Sequence, residues 1–301
     1  MKLYAPKYYK EFVCIADRCR HSCCIGWEID VDRETAEKYE KMTEGYGLEI
    51  KKSLSHKGTT HFKLKKDDRC PHLDERGLCK IILNLGEGSL CEICREHPRF
   101  YNDTVRGKEV GLGMSCEEAC RIVLSSDSYA DFCEIDEINE PHDSYEWEFD
   151  AISERDKIYR TLGDPSLSYS EKLNAISEKY DVFPSKLTDV EWRARLDALE
   201  YLDDDHRSLF SAYTSNRIAT SQLEKPLERA LAYFIFRHCS SAETMSDFCV
   251  ALGFSLFCER LLASLAIKCS FDELCDLARI ISEELEYSED NTDALKFEFF
   301  I

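Results

Sequence analysis

The sequence predicts a mainly α protein, in which an irregular cysteine-rich N-terminal module with a short β-hairpin is followed by a helical bundle. Three observations carry this expectation. Eleven of the sixteen cysteines fall within the first 133 residues, helical periodicity dominates the C-terminal half, and an acidic stretch separates the two regimes. The expected organisation is a metal or iron–sulfur module over 1–126, a linker over 127–150 and a helical domain over 151–301. With 301 residues and 44 % hydrophobic content, the chain is long enough to bury a sizeable core.

Within the first module, His61-Phe62-Lys63-Leu64 alternates as a strand does. Between Cys70 and Cys79 lies a turn-forming segment in which Gly77 can take a positive φ, so a hairpin would bring the two flanking thiols together. Gly111-Leu112-Gly113 reads as a turn ahead of a helix. Ser115-Cys116-Glu117-Glu118 has the Ser-x-x-Glu form of a capping box before the apolar Ile122-Val123-Leu124. That places Cys116 at the first helical position, where free N–H groups and the helix dipole favour a thiolate.

From Asp127 to Asp150 there are ten Asp or Glu residues and no Lys or Arg, the signature of a linker, although Tyr145, Trp147 and Phe149 alternate and suit a short strand or a groove. Beyond it, Val190, Trp192, Leu196, Leu199 and Leu202 recur near helical spacing. Residues 223–236 repeat the habit, with Pro226 in the first turn. A further helix over 246–267 is apolar nearly all round and therefore expected to be buried, and one over 271–285 is amphipathic.

Composition narrows the setting. The N-terminus has no apolar signal-peptide core, and no segment reads as the roughly 18–20 apolar residues of a membrane span. A cytoplasmic chain with no membrane partner is expected, its thiols reduced and available for metal. The net charge of −20 argues against nucleic acid, whose phosphates demand Lys and Arg, and suits a lysine-bearing partner as well as simple solubility.

The cysteines fall into ordered blocks: Cys14-x4-Cys19-x3-Cys23-Cys24, Cys70-x8-Cys79, Cys91-x2-Cys94, then Cys116-x3-Cys120 and Cys133. A [4Fe–4S] cluster commonly takes four Cys, and structural zinc takes four Cys or Cys with His, so these thiols exceed one site. Either two sites exist or some thiols are structural or redox partners. Cys91-x2-Cys94 fits zinc, iron–sulfur or dithiol chemistry equally. Cys23-Cys24 is more distinctive, because adjacent side chains point in different directions and can serve different jobs.

The segment Phe12–Asp30 resembles the opening of the flagellin lysine-N-methylase family. Cys70-Pro71-His72-Leu73-Asp74, Gly77-Leu78-Cys79-Lys80-Ile81, Leu85-Gly86-Glu87, Cys94 with His97-Pro98-Arg99, and Ser115-Cys116-Glu117-Glu118-Ala119 follow in the family's order. The resemblance covers roughly residues 4–125. It implies an S-adenosylmethionine-dependent lysine N-methyltransferase acting on flagellin or a similar surface protein, with a [4Fe–4S] cluster held among Cys14, Cys19, Cys23, Cys24, Cys70, Cys79, Cys94 and Cys116. Cys91, Cys120, Cys133 and the five C-terminal cysteines lie outside the pattern. No glycine-rich nucleotide loop of the Rossmann type is present, so the methyl donor requires another binding mode. His72 and His97 stand close to candidate ligands and suit supporting hydrogen bonds better than ligation. Arg99 suits a structural ion pair better than pairing with the methyl donor, while Trp27 suits covering the cluster and core packing equally. Tyr101 is the nearest candidate for a proton acceptor, with a structural role the stronger reading. The competing classes are a non-catalytic zinc- or iron-binding module and a thiol redox protein using Cys91 and Cys94.

Overall fold

The computed structural model describes residues 1–138, 147–215 and 221–300. The chain runs through β1 (Lys2–Pro6), α1 (Arg33–Glu40), α2 (Gly47–Ser53), β2 (Leu54–Ser55), β3 (His61–Phe62), α3 (Lys80–Leu85) and α4 (Glu92–Glu96). Then come β4 (Arg99–Thr104), β5 (Gly107–Leu112), α5 (Glu117–Ser125) and β6 (Phe132–Glu137). A helical series follows: α6 (Ala151–Leu162), α7 (Tyr169–Tyr180), α8 (Asp189–Asp197), α9 (Asp204–Phe210), α10 (Glu224–Cys239), α11 (Met245–Leu265), α12 (Phe271–Ile281) and α13 (Glu289–Lys296). The protein is mainly α, as its patterning predicts.

Two compact units emerge. One comprises Val13–Arg99 with Cys116–Glu118, and the other comprises Met1–Phe12, Phe100–Ser115 and Ala119–Ile301. Boundaries at 126 and 150, drawn from composition, do not coincide with these units. The acidic stretch is not a free linker where it is described: Phe132–Glu137 is the edge strand β6, antiparallel to β1 with Ala5 opposite Cys133, and Phe149 packs against Phe248 at 5.7 Å. Tyr145 lies outside the described residues.

The larger unit is built on a four-stranded sheet in the order β4-β5-β1-β6, in which β1 and β5 run parallel. Gly107 has φ +134°, and a Cβ there would stand 2.5 Å from the Lys2 carbonyl oxygen, so only glycine permits the close strand approach. Gly111-Leu112 belongs to β5 rather than to a turn. Glu109 of β5 reaches the fully buried Arg155 of α6 through bonds of 2.6 and 3.0 Å, and Arg155 also donates to Ser240 Oγ at 2.7 Å and stacks over Phe132. The carboxylate and hydroxyl satisfy the two terminal nitrogens of this buried charge, while Arg155 Nε is left without a hydrogen-bond partner.

Helix α11 is apolar nearly all round and lies buried, with Phe248, Leu252, Phe254, Phe257 and Leu261 fully covered. It is long and apolar enough to cross a membrane, contrary to the sequence expectation that no segment is, but its burial makes it the core helix of its unit. Pro226 sits in the first turn of α10, where its missing N–H costs nothing. Helix α8 ends at Asp197, short of Leu202, and Val190 and Leu202 face solvent, while Trp192 stacks on Phe257 at 3.9 Å. Helices α7, α8 and α12 each start with a complete capping box.

The smaller unit is irregular. Its strands β2 and β3 pair Leu54 with Phe62, and Asp30 bridges to His61. The Asp32 carboxylate accepts from Thr35 N at 2.9 Å and from Glu92 N at 2.8 Å, so one side chain caps α1 and also pins the start of α4. The core gathers Ile29, Val31, Tyr39, Ile50, Phe62, Leu73 and Ile81 together with cysteines.

Candidate metal centre

All eight cysteines singled out from the sequence belong to the smaller unit, and the structure adds a ninth, Cys91. All nine are free thiols. Five of them share the unit's core: Cys70 and Cys91 are buried, and Cys24, Cys79 and Cys94 pack against the same apolar residues. The expected hairpin forms. Asp74 Oδ1 accepts from Arg76 N and Leu78 N, Gly77 takes φ +80°, and Leu73 bridges Cys79, which brings the Cys70 and Cys79 segments together. Cys70 N donates to the Cys24 carbonyl at 2.8 Å, and Ile25 bridges Arg69, so the Cys23-Cys24 turn is stitched alongside the hairpin.

The remaining four, Cys14, Cys19, Cys23 and Cys116, lie on the loop before α1 and at the head of α5, and none of them is buried. Glu117 fastens the loop to that head: its carboxylate accepts from Arg20 N at 2.9 Å and from Arg20 Nε at 3.2 Å, and pairs with His21 Nδ1 at 3.0 Å. Cys19 Sγ stands 3.9 Å from the same carboxylate. Burial opposes the charge on Glu117, but His21 and Arg20 outweigh it and hold the carboxyl below its ordinary pKa. The capping box expected at Ser115 does not form. Helix α5 opens at Glu117, which leaves Cys116 one residue ahead of it, and Ser115 Oγ is buried without a hydrogen-bond partner.

The thiols titrate unequally. Cys24 is held down to about 7, chiefly by a hydrogen bond from Cys23, whose own pKa is pushed far up chiefly by that bond. Cys91 is likewise lowered by its hydrogen bond with Cys94, while Cys94 is raised by it. Burial pushes Cys70 up to about 12 and raises Cys79, against the backbone N–H groups of Ile82 and Ile81 that favour the Cys79 thiolate. A thiol array of this kind binds cations only by releasing protons.

The supporting residues fall where hydrogen bonding dictates. His72 is buried, with Nδ1 2.8 Å from Tyr46 Oη and Nε2 2.8 Å from Ser53 Oγ, so both ring nitrogens are occupied, and burial lowers its pKa to about 4. His97 is lowered to about 4 for the same reason, and its Nε2 is buried without a hydrogen-bond partner. Arg99 donates to the Arg95 carbonyl at the end of α4 at 3.2 Å. Trp27 is half-buried, and Tyr101 is exposed on β4. Cys91 stands outside the family motif and is readable from sequence only through its Cys-x2-Cys spacing with Cys94 ahead of a helix. Glu117 gave no signal beyond its place in a motif.

Cys120 and Cys133 belong to the larger unit, where Cys120 Sγ contacts the Cys275 carbonyl at 3.4 Å. Of the five C-terminal cysteines, Cys239, Cys258 and Cys275 are buried on helices, whereas Cys269 lies in the turn before α12 rather than on a helical face.

The fold and its thiols define a mainly α protein with a cysteine-rich unit, and known proteins with related sequences include two named lysine-N-methylase and one named as a flagellar biosynthetic protein. The chain is 30 % identical to a lysine-N-methylase of Salmonella typhimurium over 129 residues, which is 40 % of this chain and 32 % of the relative. A lysine-N-methylase of Salmonella choleraesuis matches equally. The flagellar biosynthetic protein FliU of Salmonella muenchen is 29 % identical over 129 residues, 75 % of its length. The chain thus spans about a third of the length of the two methylases. No family model and no solved structure matches.

Proposed function

We propose that this chain is a protein-lysine N-methyltransferase that uses S-adenosylmethionine and a [4Fe–4S] cluster to methylate flagellin or a similar surface protein in the cytoplasm. The observation that carries this reading is the shared sequence with two lysine-N-methylases and a flagellar protein. The thiol unit supports the metal part. Among the described residues, no three cysteine sulfurs lie within 4.8 Å of one another. Nine free thiols in one unit suit thiolate ligation of a cluster, whereas a single tetrahedral zinc, with Zn–S of about 2.3 Å, would need its sulfurs drawn to about 4 Å. Such a cluster supplies a reducible centre anchored by thiolates.

In the transfer itself, the neutral lysine Nε attacks the sulfonium methyl, the donor leaves as a thioether, and the amine proton passes to a base or to water. The chain's −20 charge favours approach of a basic, lysine-bearing surface and disfavours DNA or RNA. The test is transfer of labelled methyl from S-adenosylmethionine to flagellin lysines by anaerobically prepared, iron-replete protein. Labelled lysine is expected. A cluster-bearing sample that neither binds the methyl donor nor labels flagellin would leave the non-catalytic metal-binding reading, which the packing of five thiols in or against one core favours.

A further inference from the structure

Between α1 and the 3-10 turn Glu87–Ser89 of the smaller unit lies a cavity of about 80 Å³. It holds about six groups the size of a water molecule and is far too small for a nucleotide. Tyr39, Met42 and Leu90 form its apolar wall, and Lys38 and Arg95 line it as cations. Tyr39 Oη donates to the Ser89 carbonyl at 2.6 Å, which ties α1 to the turn.

The two cations are incompletely neutralised. Arg95 gives its Nε to Glu96 at 3.2 Å, and among the described residues its terminal nitrogens have no partner. Lys38 Nζ meets Glu34 Oε1 at 2.8 Å. The Glu34 carboxyl is drawn below its ordinary pKa first by Lys38, with a further contribution from Arg95, so a carboxylate already stands within the field of both cations. Its side chain is 80 % exposed, and an exposed i,i+4 pair of this kind is weak enough to be exchanged for another anion.

We propose that this cavity binds the carboxylate end of a small organic acid, its short hydrocarbon body against Tyr39, Met42 and Leu90 and its carboxylate on Lys38 and Arg95 in place of Glu34. A phosphate fits less well, because its additional oxygens and second charge would meet the apolar wall without donors. The carboxylate has two candidate sources, a free short-chain acid and the amino-acid end of the methyl donor. The inference goes beyond the proposed methyl transfer and does not rest on it.

The test follows the methyl groups of the chain's four methionines by NMR in full-length protein carrying 13C-methyl methionine, titrated separately with butyrate, inorganic phosphate and S-adenosylhomocysteine. Met42→Leu assigns the resonance at the cavity. Butyrate should shift the Met42 methyl and leave those of Met1, Met114 and Met245 in place. Glu34→Gln should tighten butyrate about two- to fivefold by removing the resident carboxylate, and Lys38→Gln should weaken it by a similar factor. Both positions are exposed, so both variants should retain the wild-type circular dichroism. If S-adenosylhomocysteine shifts the same methyl and competes with butyrate, the methyl donor is the source of the carboxylate; if butyrate binds without that competition, a free acid is. Neither result depends on the methyl-transfer assay. A Met42 methyl unmoved by butyrate, phosphate binding tighter than butyrate, or a Glu34→Gln variant with no gain in affinity would overturn the proposal.

Discussion

At the scale of single residues, the structure sorts the cysteines by surroundings rather than by spacing alone. Cys91 has no place in the family motif, yet it shares the core and a hydrogen bond with Cys94. Cys91→Ser should therefore deplete metal as severely as Cys94→Ser does, measured by iron content after reconstitution. Cys258→Ser, in the apolar core of the other unit, should leave metal content unchanged and cost about 1–3 kcal/mol of stability by burying a hydroxyl. Glu117→Ala should free the Cys19 loop and speed metal loss to a chelator, measured by the rate of metal release, because it removes the acceptor of Arg20 N and the partner of His21. His206 gives a pH prediction. Burial opposes its charge, but the Glu284 carboxylate 2.6 Å away, aided by Asp203 and Glu283, wins and raises the imidazole pKa above 6.5. Folding then favours the protonated form, so the stabilisation is fully present below the ordinary pKa of about 6.5 and fades as pH rises through the elevated one. Urea midpoints of wild type and His206→Gln should converge above that range and diverge below it.

At the scale of elements, the sequence was most readable where one face of a helix had to be buried. The helices around Pro226 and Phe271 stand where periodicity placed them, the one around Trp192 stops five residues early, and the Cys70–Cys79 hairpin forms because Asp74 and Gly77 are sufficient to close that turn locally. Strands β1, β5 and β6 were not legible: they pair across more than a hundred residues, and β6 is acidic enough to pass for a linker. The same non-locality hid the thiol grouping, since Cys116 reaches the loop set through Glu117 rather than through any near neighbour in sequence. The Glu109–Arg155 pair between β5 and α6 was equally invisible. Glu109→Gln should destabilise the larger unit by about 3–5 kcal/mol, because it strands a buried guanidinium, whereas replacing both partners with methionine should cost much less. Denaturant unfolding of the single and double variants separates the two outcomes.

At the scale of the whole molecule, the two units are interleaved along the chain: the cysteine-rich unit takes its last three residues, Cys116–Glu118, from beyond β5. This threading sets a timetable for biosynthesis. Cys24, Cys70, Cys79, Cys91 and Cys94, which share the core, are all present once residue 94 has been made, but the loop cysteines Cys14, Cys19 and Cys23 lack Cys116 until residue 116. At roughly 5–20 residues per second, those 22 further residues take about 1–4 s of translation, during which one thiol set is complete and the other is not. A nascent chain halted after Arg99 carries the five core thiols together with Arg20 and His21 but lacks Cys116 and Glu117, so the ribosome itself imposes an order on which thiols can meet an incoming metal.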